Sequence, residues 1–221
     1  MVSFLLRCRR GILVCSLSAL STLFYFPPAF PQNFPGNSNA PQATFEISND
    51  PEEIIVSYTQ ALSEMGGGDK GPSVTVYADG HVIVEYPPFM KNAGEYTLQL
   101  SQVEMDRLLR SLVDKKVMEF DPQAIRRSKR EARAAEKGVE TTLYGVSDAP
   151  TTIIEIRLSR YTGAGLPAQE QLNVNKKISW HGLGADARNY PGIKAIQDLH
   201  AAQKDLHALM NRKDLKKKNN R

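Results

Sequence analysis

The stretch that decides the fold is SVTVYADGHVIVEYP, Ser73 to Pro87. Val74 and Val76 alternate with Ser73, Thr75 and Tyr77, and Val82 and Val84 alternate with His81, Ile83 and Glu85. A side-chain period of two sends one set to a buried face and the other to the opposite face, so the segment predicts two half-buried strands. Asp79-Gly80 stands between them. Glycine takes positive φ freely and aspartate tolerates it, which predicts a two-residue hairpin turn. Pro87-Pro88 removes two backbone donors and ends the second strand.

The strand pattern extends on both sides. Glu53 to Thr59 (EIIVSYT) is β-branched and apolar, and Met65-Gly66-Gly67-Gly68 interrupts it with a loop. Glu95 to Leu100 (EYTLQL) is a further strand, followed at once by a helix start. Ser101 is the N-cap and Glu104, three residues on, completes a capping box; Leu100 and Met105 supply the hydrophobic staple. Leu108, Leu109, Leu112 and Val113 form the apolar stripe, while Asp106, Arg107, Arg110 and Asp114 face water.

The second half repeats the order. Thr151 to Leu158 (TTIIEIRL) reads as a strand with Ile154, Ile156 and Leu158 on one face, and Leu172 to Trp180 as another. Gly163, Gly165 and Pro167 mark the loop between them. Ile193 to Met210 is the longest helix, buried along Ile193, Ile196, Leu199, Leu206, Leu209 and Met210. Between the halves, PQAIRRSKREARAAEKG (residues 122–138) predicts a basic surface helix with Pro122 in its first turn and Gly138 as its cap. It has little apolar face, so its support must come from charge pairs or a partner, with Arg127 and Glu131 at four-residue spacing as one such pair. The expectation is an α+β fold: a mainly antiparallel sheet of about six strands in two clusters, packed against two main helices, plus the basic surface helix.

The N-terminus reads as an export leader. Arg7, Arg9 and Arg10 precede the uncharged run Gly11 to Phe26, which Pro27-Pro28 closes. That run is shorter than the roughly 20 residues a spanning helix needs, which favours a cleaved signal over a retained anchor. Residues 1–29 are therefore expected as signal peptide or anchor, and residues 30–45, rich in Pro, Asn and Gln, as a linker. One domain spans residues 46–211, followed by a basic, disordered tail at 212–221. Cys8 and Cys15, the only cysteines, fall inside the leader. Its removal leaves no thiol for a disulfide, catalysis or zinc.

The net charge is +4, but it is not evenly spread. Setting aside the three leader arginines, and the six basic residues and Asp214 of the tail, leaves 19 basic and 23 acidic residues. A mildly acidic body is not the footprint of a nucleic-acid binder. The tail can touch an anionic membrane surface weakly, or simply be solvated.

Few residues point to chemistry. Trp180 and His181 precede a glycine-rich turn (GLGAD); an aromatic beside a titratable group marks a ligand cleft, or else a core tryptophan with an exposed neighbour. Tyr86 and Phe89 flank the rigid Pro87-Pro88 step and offer a contact surface, or merely end the strand. Ser147-Asp148 reads as a turn, without the context of a nucleophile elbow. The repeated DLHA at 198 and 205 places His200 and His207 about 10.5 Å apart along a helix, too far to chelate one metal ion. No metal or cofactor is expected.

The strand–Asp-Gly–strand string PSVTVYADGHVIVEY, the SQVEMDRLL helix and the SDAPTTIIEIRL strand together resemble an uncharacterised family of exported bacterial α+β domains. The likeness covers roughly residues 70 to 210 and implies the fold alone. The functional expectation is a non-enzymatic periplasmic or cell-envelope module binding an envelope protein or polymer. The alternatives are a hydrolytic enzyme around Trp180 and His181, and an inhibitor or ligand carrier using Tyr86 to Met90.

Overall fold

The computed structural model describes residues 42–62, 70–135, 148–165 and 169–218. The leader with its cysteines, most of the expected linker, the glycine loop near residue 66, Gly138, Ser147, Pro167 and residues 219–221 lie outside the described residues.

The chain is α+β. Its described elements are β1 (Thr44–Glu46), β2 (Ile54–Ala61), β3 (Lys70–Tyr77), β4 (His81–Tyr86), β5 (Gly94–Gln99), α1 (Gln102–Asp114), α2 (Pro122–Ala135), β6 (Thr151–Thr162), β7 (Glu170–His181), α3 (Leu183–Asn189), α4 (Lys194–Met210) and β8 (Lys216–Lys217). The strands form one antiparallel sheet of eight, not two clusters of about six in all. β2 to β5 run as a meander, and β8 closes its far side on β5. β6 returns to the free side of β2 and carries β7 on its own outer side. Being 12 residues long, β6 spends Thr151 to Ile156 on β2 and Arg160 to Thr162 on β1. The two expected clusters merge because β2 is apolar enough to be central: Val56 and Tyr58 are fully buried between β3 and β6.

The hairpin forms with a different turn. The last ladder pair is Val76 with Val82, and Gly80 N donates to Tyr77 O across the turn. Only Gly80 has positive φ, at 85°. Asp79 instead uses its carboxylate, which accepts from His81 N at 2.7 Å. Gly80 is required twice over: a Cβ there would sit 2.5 Å from the carbonyl oxygen of Leu100, whose N–H donates to Gly80 O.

The period-two sets of all the long strands bury one face of the sheet. Val74, Val76, Val82, Val84, Ile154, Ile156 and Ile178 meet Met105, Leu109 and Leu112 of α1 and Ile196, Leu199 and Leu206 of α4 in one core. The capping box of α1 forms as read: Ser101 Oγ accepts from Glu104 N, and Glu104 accepts from Ser101 N. The other sheet face carries Ser57, Thr59, Ser73, Thr75, Ile83, Glu155 and Arg157, all partly exposed.

The basic helix lies on the surface as expected, held at one point, and the stretch 212–218 is ordered. Basic helix α2 docks: Ile125 is buried, and Lys129 pairs with Asp186 of α3 at 2.5 Å. The Arg127–Glu131 pair is not made; both side chains are exposed, and the support comes from Lys129 instead. The stretch 212–218, expected as a disordered tail, folds back on the domain. Arg212 bridges Glu104 at 2.7 Å and Asp214 at 2.6 Å, Lys217 pairs in register with Tyr96, and Lys218 N donates to Glu95 O. The acidic partners were already in place, one of them in the capping box, so the basic residues neutralise them.

Among the described residues no helix is long and apolar enough to cross a membrane.

Candidate functional site

A cleft of about 630 Å3 lies between α4, the Asp148-Ala149-Pro150 approach to β6, and the start of α3. Its residues come from a helical stripe. His200, Lys204, His207 and Asn211 recur at four, three and four residues along α4, a spacing that keeps them on one face. The face lies next to the buried stripe, so the histidines are only half exposed while Lys204 is open to water.

The floor is a hydrogen-bonded network that joins the cleft to the core. Gln203, 9% exposed, donates its amide to Thr152 Oγ1 at 3.1 Å and to the Tyr58 hydroxyl at 3.3 Å. The Tyr58 hydroxyl also bonds to His207 Nε2, and the two rings meet edge to face. Three strands and helices thus meet through side chains: β2 gives Tyr58, β6 gives Thr152 and α4 gives Gln203 and His207. No buried side-chain polar atom is left without a partner among the described residues.

Electrostatics follow from burial and crowding. Burial holds the His207 imidazolium below its ordinary pKa, so the ring is neutral near pH 7. His200 is lowered too, by burial first and then by the charges of Lys204 and Arg188. Burial pushes the Tyr58 hydroxyl up to about 12, with Gln203 opposing. The phenol therefore stays protonated across the physiological range. A neutral imidazole hydrogen-bonded to a protonated phenol can orient and hold a bound group. A general base would need a proton to take from a substrate, and this imidazole nitrogen is already matched to Tyr58.

The residues singled out from the sequence are not brought together. Trp180 is 4% exposed and faces the core. Its indole N–H donates to Asp186 at 2.8 Å, Phe120 meets it edge to face, and Lys129 lies 5.5 Å from the ring centroid. His181, the next residue on β7, points to the opposite side of the sheet beside Thr151, exposed. Tyr86 is half-buried, donating to Met210 O at 2.7 Å against the end of α4. It lies on β4, separated from β7 by β3, β2 and β6, about 19 Å at the usual strand spacing. Phe89 is 58% exposed at the rim of a shallow, roughly 810 Å3 concavity on the helix-free sheet face, with Thr59, Ser73, Thr75 and Ile153.

The cleft residues Gln203, Arg188 and Lys204, and Tyr58 buried beneath them, were missed, although a signal for the helical ones exists. The seven-residue DLHA echo puts both histidines on one helix face, with Lys204 between them; weighing it only as a metal pair hid that shared face. Among the described residues no group of histidine, cysteine, aspartate and glutamate could hold a metal ion.

The chain matches no protein-family model, no curated protein and no solved structure.

Proposed function

We propose that the chain is an exported, non-enzymatic binding module of the periplasm or cell envelope, with the cleft beside α4 as its ligand site. The observation that carries the reading is the helical stripe His200, Lys204, His207 and Asn211 facing a concave space whose floor is a closed hydrogen-bond network. Such a floor is rigid, and a rigid polar floor under an exposed cationic rim suits recognition. Export rests on the basic, apolar, proline-closed N-terminal segment and on the resemblance to exported domains. The partner is an envelope protein or polymer that inserts a polar group into the cleft.

The test has two arms. Cell fractionation with intact mass is expected to give a species lacking about 21 to 29 N-terminal residues, as cleavage near the end of the apolar run requires. A full-length species in the membrane fraction would replace the free module by an anchored one. In the second arm, the purified chain is expected to be retained by the cell-envelope fraction, and His200→Ala/His207→Ala, still folded by circular dichroism at the assay temperature, to lose retention. Undiminished retention would overturn the cleft as the site.

A second reading is favoured by the exposure of Phe89. A ligand carrier or inhibitor would use the concavity around Phe89 on the helix-free face, and Phe89→Ser, not the histidine pair, would then abolish retention.

A further inference from the structure

We propose that the cleft beside α4 is a receptor site for an oxyanion, the phosphate or carboxylate of its ligand, held between Arg188 and Lys204. The inference rests on the cleft being the ligand site and specifies what it takes.

Three observations point the same way. First, several cations packed against the helices are neutralised by carboxylates, as Lys115 is by Asp205, Lys129 by Asp186 and Arg212 by Glu104 and Asp214. Among the described residues, Arg188 and Lys204 make no such pair, and both line the same cleft from different helices. Secondly, the charges reach each other's surroundings. His200 lines the same cleft, one turn from Lys204 on α4, and after burial both charges disfavour its protonation. Two unpaired cations facing one concave space focus a positive potential that a solvated flat surface would dissipate. Thirdly, the two cations outnumber the one carboxylate among the lining residues, Asp148. The rest of the lining supplies Gln60, Asn211 and the imidazoles as neutral hydrogen-bonding groups.

An oxyanion fits this set better than a neutral sugar or an apolar group. Arginine offers a planar fork of donors and lysine a point charge, the combination that recognises phosphate and carboxylate. The groups that face His200 are Arg188 from α3, Lys204 and His207 from α4, and Asp148 from the approach to β6. An anion seated among them reverses the local field, so His200 becomes easier to protonate, and binding tightens as pH falls.

The chain has four histidines, so proton NMR can follow every imidazole separately. The full chain is titrated with inorganic phosphate, with succinate, and with glucose as a neutral probe, at constant ionic strength. Saturable movement of the His200 signal by phosphate or succinate, with His81 still and the His200 pKa raised, is the expected result. The two anions distinguish a phosphate from a carboxylate source. Arg188→Gln/Lys204→Gln, both surface changes that leave Tm intact, is expected to weaken the anion at least tenfold.

Movement of all four histidines alike, or unchanged affinity in the Arg188→Gln/Lys204→Gln protein, would overturn the proposal. Saturation by glucose with silence to both anions would also overturn it. In that last case His200→Ala/His207→Ala would still abolish retention by the envelope fraction, so failure of the anion assignment is separable from failure of the cleft.

Discussion

At the scale of single residues, the two positions with least freedom are Gly80 and Tyr58. Gly80 combines positive φ with a carbonyl oxygen where its Cβ would stand. Left-handed backbone alone costs a non-glycine residue about 1–2 kcal/mol. Gly80→Ala should lower urea stability by at least that amount, because Leu100 must also move. Tyr58 illustrates a different dependence. Its hydroxyl holds Gln203 and His207 together, and Tyr58→Phe leaves both short of a partner, Gln203 where it is buried. A loss of about 1–3 kcal/mol is expected in denaturant unfolding. The His207 pKa measured by NMR should change in the same variant, which a mere packing defect would not bring about.

At the scale of elements, α1 and α2 show two ways of holding a helix. α1 has its own apolar stripe and a closed capping box, so Ser101→Ala should cost about 1 kcal/mol and leave its packing intact. α2 has a single buried apolar residue, Ile125, and depends on Lys129 among Asp186, Trp180 and Tyr190. Lys129→Met should therefore speed amide exchange across residues 122–135 while β2 and β3 keep their protection; equal protection in both proteins would mean Ile125 suffices. This contrast explains what the sequence could and could not say. The α1 cap, the hairpin strands and the α4 stripe are local patterns, each readable within a few turns or residues. The docking of α2 depends on Trp180 and Asp186, more than 50 residues downstream, and no window along the chain holds both partners. The same holds for the cleft, whose floor joins Tyr58, Thr152 and Gln203 from three distant segments. The turn at Asp79-Gly80 was legible as a turn but not as to type, because Leu100, just past the end of β5, closes on Gly80.

At the scale of the whole molecule, stability should depend on pH in two acidic steps and one alkaline one. His200 and His207 have folded pKa values below 6.5. The unfolded chain takes up more protons there, so stability falls as pH drops from about 6.5. Glu104 is held down to about 2 by the backbone N–H of Ser101 and by Arg212, against an ordinary 4.5. Its contribution is present above 4.5 and fades as pH falls towards 2. Tyr58, raised from 10.0 to about 12, favours the folded state below pH 10 and loses that advantage as pH rises towards 12. Urea midpoints at pH 7.5 and 5.5 should differ, with the lower value at 5.5, and His200→Gln/His207→Gln should narrow the gap. Equal narrowing by His81→Gln would assign the step elsewhere.

The placement of β6 also sets an order of events in time. Residue 56 pairs with residue 76 on one side and with residue 156 on the other. The first partner is synthesised almost at once and the second a hundred positions later, after α1 and α2. Until then the meander of β2 to β5 presents a bare, apolar strand edge carrying Val56 and Tyr58, a ready template for a second copy. Chains truncated before Thr151 should aggregate instead of folding, and the refolding yield of the full chain should fall as its concentration rises.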